Sequence, residues 1–202
     1  MARKVEPPRA WQRMLSGRRL DLLDPSPLDV EIEDIAHGLA RVARWNGQTR
    51  GPEIFSVAQH SLLVEALAVA IEPGLSARHR LMALLHDAPE YVIGDIISPF
   101  KAAVGDAYKS VENRILASIH LRFSLPAQTP EKLKKLVKRA DRAAAFIEAT
   151  RLAGFSVAEA EKFFGRPEVA LRGVDALVAP MAPDAAEARF LDVFRDLEGA
   201  GD

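Results

Sequence analysis

An apolar run, Leu81-Met82-Ala83-Leu84-Leu85, passes without a break into His86 and Asp87. On hydrophobicity alone the run is core helix. A carboxylate carried into such a place without a partner is costly, so something must compensate Asp87. A cation does this most simply. Adjacent helical residues point about 100° apart, so His86 and Asp87 can share an ion only in the wedge between them. Two ligands do not hold a catalytic metal, and the rest must come from elsewhere in the chain. The question becomes where other metal-binding side chains stand in apolar contexts.

Helical periodicity answers it. Ile32, Ile35, Ala36, Leu39, Val42 and Ala43 make one stripe, predicting a helix from Ile32 to Arg44 with Gly47 as its left-handed terminator. A second helix is predicted from Ser56, which has capping-box spacing to Gln59, and it stops at Pro73-Gly74. Its buried face, Leu63, Val64, Leu67 and Ile71, projects back one turn onto His60. A third helix, capped by Ser76, carries His86-Asp87 and must kink or end at Pro89, whose ring crowds the carbonyl of Leu85. Glu90 falls on their side if the turn persists. Gly94 and Asp95 lie in a loop, and Ser98-Pro99 restarts helix. Further helices are predicted over Asp106 to Leu121, over Glu131 to about Ala153 with Gly154 as terminator, and over Asp184 to Leu197; Ser156 and Glu159 form another capping box. On the Glu131 helix, Asp141 sits within the stripe Leu133, Leu136, Val137, Ala140, Ala144 and Ile147.

Alternation of β-branched and polar residues is nearly absent. The fold class expected is all-α, a single-domain helical bundle over residues 31–202. Residues 1–30 are expected to be an irregular lead-in with a short helix near Ala10–Leu15. A chain of 202 residues suits one well-buried domain.

Four polar residues therefore stand in apolar contexts on three helices: His60, His86, Asp87 and Asp141. Two imidazoles and two carboxylates suit one divalent ion, Mn, Co, Fe, Ni, Zn or Mg, with positions left for water. Such an ion brings the pKa of water toward neutrality, which suits hydrolysis. The chain has no cysteine, so thiol ligands and thiol nucleophiles are excluded. Glu90 is placed to move a proton, and Asp95 to orient water or hold a sugar hydroxyl. Taken singly, each has an ordinary reading as well. His60 suits a core histidine, Asp141 a partner for a buried Arg44, Glu90 a solvated position after a helix end, and Asp95 a turn. Arg44 can cap helix carbonyls, Trp45 can be core, and Lys101 can be solvated. His37 and His120 read as structural and His79 as solvent-facing. Only the four together demand a common partner.

The ordered set resembles the HD-domain phosphohydrolases, and more closely their 5′-deoxynucleotidase branch. The resembling stretches are Arg44-Trp45, Ser56 to Ser61, His86 to Glu90, Gly94 to Lys101, Tyr108-Lys109 followed by Glu112, and Val137 to Asp141. The resemblance implies a helical fold and hydrolysis of a nucleotide phosphate ester at a mononuclear metal held by His60, His86, Asp87 and Asp141. It implies that Glu90 is the catalytic carboxylate, Asp95 a second acidic residue, and Arg44 with Trp45 the phosphate and sugar contacts; Lys101 is expected to stabilise phosphate oxygens. The segment Gly17 to Pro25 is similar to that of HD proteins from phages and α-proteobacteria, some of which remove triphosphate from dATP. The expected substrate is a deoxynucleoside monophosphate, the alternatives being a dNTP triphosphohydrolase and a non-catalytic nucleotide-binding module.

A net charge of −1 argues against nucleic acid or an anionic membrane as main partner. The basic run Lys132, Lys134, Lys135, Lys138, Arg139, Arg142 reads as a solvated helix face. No window is apolar enough to span a membrane and no apolar signal core follows the basic N-terminus, so a cytoplasmic location is expected. Paired helices with apolar surface predict a homodimer.

Overall fold

A computed structural model describes residues 9–97, 100 and 105–200. The predicted restart at Ser98-Pro99 and the candidate Lys101 lie outside the described residues.

The lead-in is more ordered than its sequence predicts. Strands β1 (Trp11–Arg13) and β2 (Arg19–Asp21) form an antiparallel hairpin in place of the expected helix. Gly17, at φ 88°, makes the turn that a helix would not allow. Ser16 donates its backbone N–H and its hydroxyl to Asp34, and Leu20 is fully buried. Strands of three residues are too short to show an alternating pattern, which is why the sequence hides them. A single 3₁₀ turn, Pro27–Asp29, follows and is capped by Ser26.

Helix α1 (Ile32–Arg41) stops three residues before the expected Arg44. Beyond it Val42 is extended, Ala43 bridges Ser56, and Arg44 N–H donates to Phe55 O at 2.8 Å. That pairing satisfies the backbone that a longer helix would have satisfied. Arg44–Gly47 is then one tight turn in which Trp45 and Asn46 adopt left-handed backbone, φ 56° and 50°. Helix α2 (Val57–Ile71) begins where Ser56 Oγ accepts from Gln59 N–H. Only half of the capping box forms there. The Gln59 amide instead donates to Ala179 O and accepts from Met181 N–H, docking a distant loop.

Helix α3 (Ala77–Leu84), capped by Ser76, ends at the residue before the carbonyl that the Pro89 ring would strike. His86 and Asp87 therefore sit in turns, not on a helix as predicted, and Pro89 opens the single-turn helix α4 (Glu90–Ile93). Helices α5 (Asp106–Arg122) and α6 (Glu131–Arg151) follow close to their expected bounds. Helix α7 (Val157–Phe164) opens with both bonds of the Ser156–Glu159 capping box, and α8 (Val174–Val178) and α9 (Pro183–Gly199) complete the chain. The fold is all-α apart from the hairpin. Buried α2 stands at the centre, packed on α6, α3, α9 and α1, with α4 against α1. One core cluster runs from Leu20 to Leu197.

Candidate metal centre

Three parts of the chain meet beside α2. His60 projects from its first turn and is fully buried. The turns between α3 and α4 bring in His86 and Asp87, and α6 brings in Asp141. Asp87 Oδ2 lies 3.2 Å from His86 Nε2 and 3.4 Å from His60 Nε2, and Asp141 Oδ1 lies 3.3 Å from the same His60 nitrogen. Donors held about 2.1 Å from one ion at tetrahedral or octahedral angles stand about 3.0–3.4 Å apart. Ligand atoms of His60, His86 and Asp141 all fall within 4.8 Å of one another, a group that can hold a metal ion.

The outer nitrogens fix what the inner ones present. His60 Nδ1 is 2.6 Å from Glu148 Oε1, and His86 Nδ1 is 2.9 Å from Ala83 O. A carbonyl and a carboxylate only accept, so each Nδ1 carries the proton, and in the neutral form of each ring Nε2 presents its lone pair inward. Both Nε2 atoms are buried and find no hydrogen-bond donor among the described residues. Two imidazole nitrogens beside two carboxylates make a donor set that fits a divalent metal. The surrounding carboxylates favour positive charge at this point. Burial and Arg44 push the His60 pKa down, yet Glu148, Asp141 and Asp87 outweigh them and hold it well above its ordinary value. Burial raises the Asp87 carboxyl, but His86 and His60 bring it well below the usual carboxylate range.

Arg44 and Trp45 reach the site from the left-handed turn after α1. Arg44 Nη1 donates to Asp95 at 2.9 Å and its Nε approaches Glu148 at 3.4 Å. Burial disfavours the Arg44 charge, but Glu148, Asp95, Asp87 and Glu90 together raise its pKa above the ordinary value. Among the described residues its side chain pairs with Asp95 and Glu148, and not with helix carbonyls or Asp141, the two other partners its sequence position allowed. Asp95, in the predicted loop, turns its carboxylate inward onto Arg44. Glu90 is 2% exposed, so it is not a solvated residue after a helix end. The Trp45 ring packs on Phe155 and Phe164, with centroids 5.6 and 5.9 Å away.

Glu148 was not among the predicted site residues. It is fully buried on α6 and accepts from Trp45 Nε1 at 2.9 Å as well as from His60. Burial raises its carboxyl, but His60, Arg44 and Trp45 lower it to about 2. A signal existed, since Glu148 is four residues after Ala144 and seven after Asp141 on the same apolar stripe.

The other histidines lie elsewhere. His37 pairs with Glu187, as does Arg41, joining α1 to α9. His120 Nδ1 bonds Pro126 O and closes the turn after α5. His79 is half-buried rather than solvent-facing. The basic face of α6 is exposed and partly ion-paired, Lys132 with Glu72 and Arg139 with Glu168. No helix among the described residues is long and apolar enough to cross a membrane. A cleft of about 710 Å³ has His86 in its wall, with Met82, Lys109, Arg114, Lys134 and Val137 around it.

Residues 37–163 match the HD domain family. The chain is 60% identical over 173 residues to an uncharacterized protein of Rhodobacter capsulatus, spanning 85% of this chain and 88% of that protein. It is 30% identical over 175 residues to the uncharacterized protein YfdR of Escherichia coli, spanning 84% and 85%.

Proposed function

The chain belongs to the HD-domain family, whose members are generally hydrolases that bind divalent metals, and from that premise we propose that it is a metal-dependent phosphohydrolase releasing phosphate from deoxynucleoside 5′-monophosphates. The observation that carries this reading is the pair of buried, inward-facing Nε2 atoms beside Asp87 and Asp141. We assign His60, His86, Asp87 and Asp141 as the residues that would hold the ion. When bound, it supplies Lewis acidity, neutralising phosphate charge and lowering the pKa of water.

The remaining steps belong to side chains. Glu90, shielded from solvent at the start of α4, takes the proton of the attacking water and returns it to the leaving oxygen. Asp95, held by Arg44, orients that water or a sugar hydroxyl. Arg44 and Lys101 offset charge on the phosphate oxygens, and Trp45 borders the sugar. The cleft beside His86, at about 710 Å³, falls within the roughly 300–1,000 Å³ of ligand sites and borders the site through His86.

A second reading is a dNTP triphosphohydrolase: Lys109, Arg114 and Lys134 line that cleft together with Asp106 and Glu131, a net positive wall for a longer phosphate chain. A release assay separates the two: metal-free protein is loaded with Mn²⁺, Co²⁺, Ni²⁺, Zn²⁺ or Mg²⁺ and offered deoxynucleoside mono- and triphosphates. Inorganic phosphate from monophosphates supports the first reading, and tripolyphosphate from triphosphates supports the second. Asp141→Ala is expected to lose both bound metal and turnover, and retained activity removes Asp141 from the ligand set.

A further inference from the structure

Three side chains converge on one buried carboxylate. Glu148 Oε1 accepts from His60 Nδ1 at 2.6 Å, while Oε2 accepts from Trp45 Nε1 at 2.9 Å and faces Arg44 Nε at 3.4 Å. Arg44 carries the chain of contacts on to Asp95. We propose that Glu148 is a positioning residue that couples metal binding at His60 to the placement of Trp45, Arg44 and Asp95. The proposal rests on the metal reading above and adds a part that it does not require.

The argument is one of shared acceptors. With Nδ1–H committed to Glu148, the His60 ring keeps the tautomer and the tilt that aim Nε2 at Asp87 and Asp141. The other oxygen holds an indole whose backbone is in the left-handed region, a conformation a tryptophan adopts only against steric resistance. Packing on Phe155 and Phe164 and the bond to Glu148 oppose that resistance. The two oxygens belong to one delocalised charge. Positive charge at His60 Nε2 makes Nδ1–H a stronger donor and draws that charge toward Oε1. The hold on Trp45 and Arg44 then loosens on the side where substrate would lie.

Trp11 and Trp45 are the two tryptophans of the chain, so Trp11→Phe leaves Trp45 as the reporter. Zinc is titrated into the metal-free full-length protein and followed by calorimetry and by Trp45 emission. The emission is expected to change and to saturate together with binding. Glu148→Gln is expected to bind zinc about 10–100-fold more weakly and to uncouple the emission from binding. Glu65→Gln is the control: Glu65 is also buried and ion-paired, with Arg80 at 2.6 Å, so its loss destabilises without changing zinc affinity. A folded Glu148→Gln protein with parental zinc affinity overturns the proposal. Should that variant fail to fold, the Trp11→Phe protein alone decides, because calorimetric binding with silent Trp45 emission overturns the coupling. If the parent binds no divalent ion at all, the metal reading itself fails.

Discussion

Gly38 lies in the middle of α1 with ordinary helical backbone, so conformational preference alone favours alanine there by about 1 kcal/mol. The neighbouring element forbids it. A Cβ at this position would lie 2.8 Å from Tyr91 Cβ, 2.9 Å from Tyr91 O and 3.2 Å from Tyr91 Cα. Two of these atoms are backbone and the third is fixed to it, so no side-chain rotation relieves the clash. Helices α1 and α4 must part by about half an ångström to restore ordinary van der Waals contact. Overpacking of this kind costs about 1–3 kcal/mol. Set against the gain in helix preference, Gly38→Ala should lose up to about 2 kcal/mol, or up to about 4–8 °C in Tm for a chain of this size.

Tyr91 follows Glu90 directly, so the displacement reaches the carboxylate assigned to proton transfer. Misplacing a reacting group by about 1 Å can cost about 100-fold in rate, and half of that shift is expected to lower kcat about tenfold. Urea unfolding and the phosphate-release assay read the two effects separately. Gly199→Ala is the matched control, because a Cβ there meets nothing within 4 Å. A Gly38→Ala protein that melts at or above the parental temperature with parental kcat refutes the reasoning.

Glu148 has its carboxyl lowered from 4.5 to about 2: burial opposes ionisation, and His60, Arg44 and Trp45 overcome it. A folded pKa below the unfolded one means stability that is full above the unfolded value and lost as pH falls toward the folded one. The metal-free protein should therefore lose about 2 kcal/mol between pH 5 and pH 3, measured by urea midpoints, with Glu148→Gln losing less. Asp34→Ala strips Ser16 of both bonds it donates and should free the hairpin at a cost of about 1–3 kcal/mol; proteolytic nicking between Trp11 and Asp21 that does not increase would count against this. Chelation of a protein saturated at about 100 times Kd should remove about 2.7 kcal/mol of stability, and His60→Ala should show no such difference between loaded and chelated samples.

Most helices could be read from the sequence because their signals are local. Ser56, Ser76 and Ser156 each accept from a backbone N–H three residues on, and the apolar stripes repeat at helical spacing. The end of α1 could not be read that way. Val42 and Ala43 extend the stripe perfectly well, but a partner strand-like segment at Phe55 to Val57 claims their backbone, and nothing local announces it. The hairpin is hidden for the related reason that Asp34, eighteen residues after Ser16, holds its turn in place. His86 and Asp87 stand in a turn and not on the helix that their apolar context predicts. Their turn places Asp87 Oδ2 between two imidazoles, which a regular helix would not have done.

Asp141 and Glu148 show how far a helical register carries the site. Seven residues on α6 are two turns, about 10.5 Å along the axis. Their carboxylates meet opposite nitrogens of one ring, Asp141 at His60 Nε2 at 3.3 Å and Glu148 at Nδ1 at 2.6 Å. An imidazole is too small to bridge two turns unless both side chains lean inward along α6. The stripe containing Asp141 therefore had to continue through Glu148, and a reading that ended it at Ile147 stopped one residue short of the group that sets the tautomer. The heptad interval itself is the transferable signal: where a helix sets one candidate ligand carboxylate against a histidine, a second two turns away is in register to hold the far side of that ring.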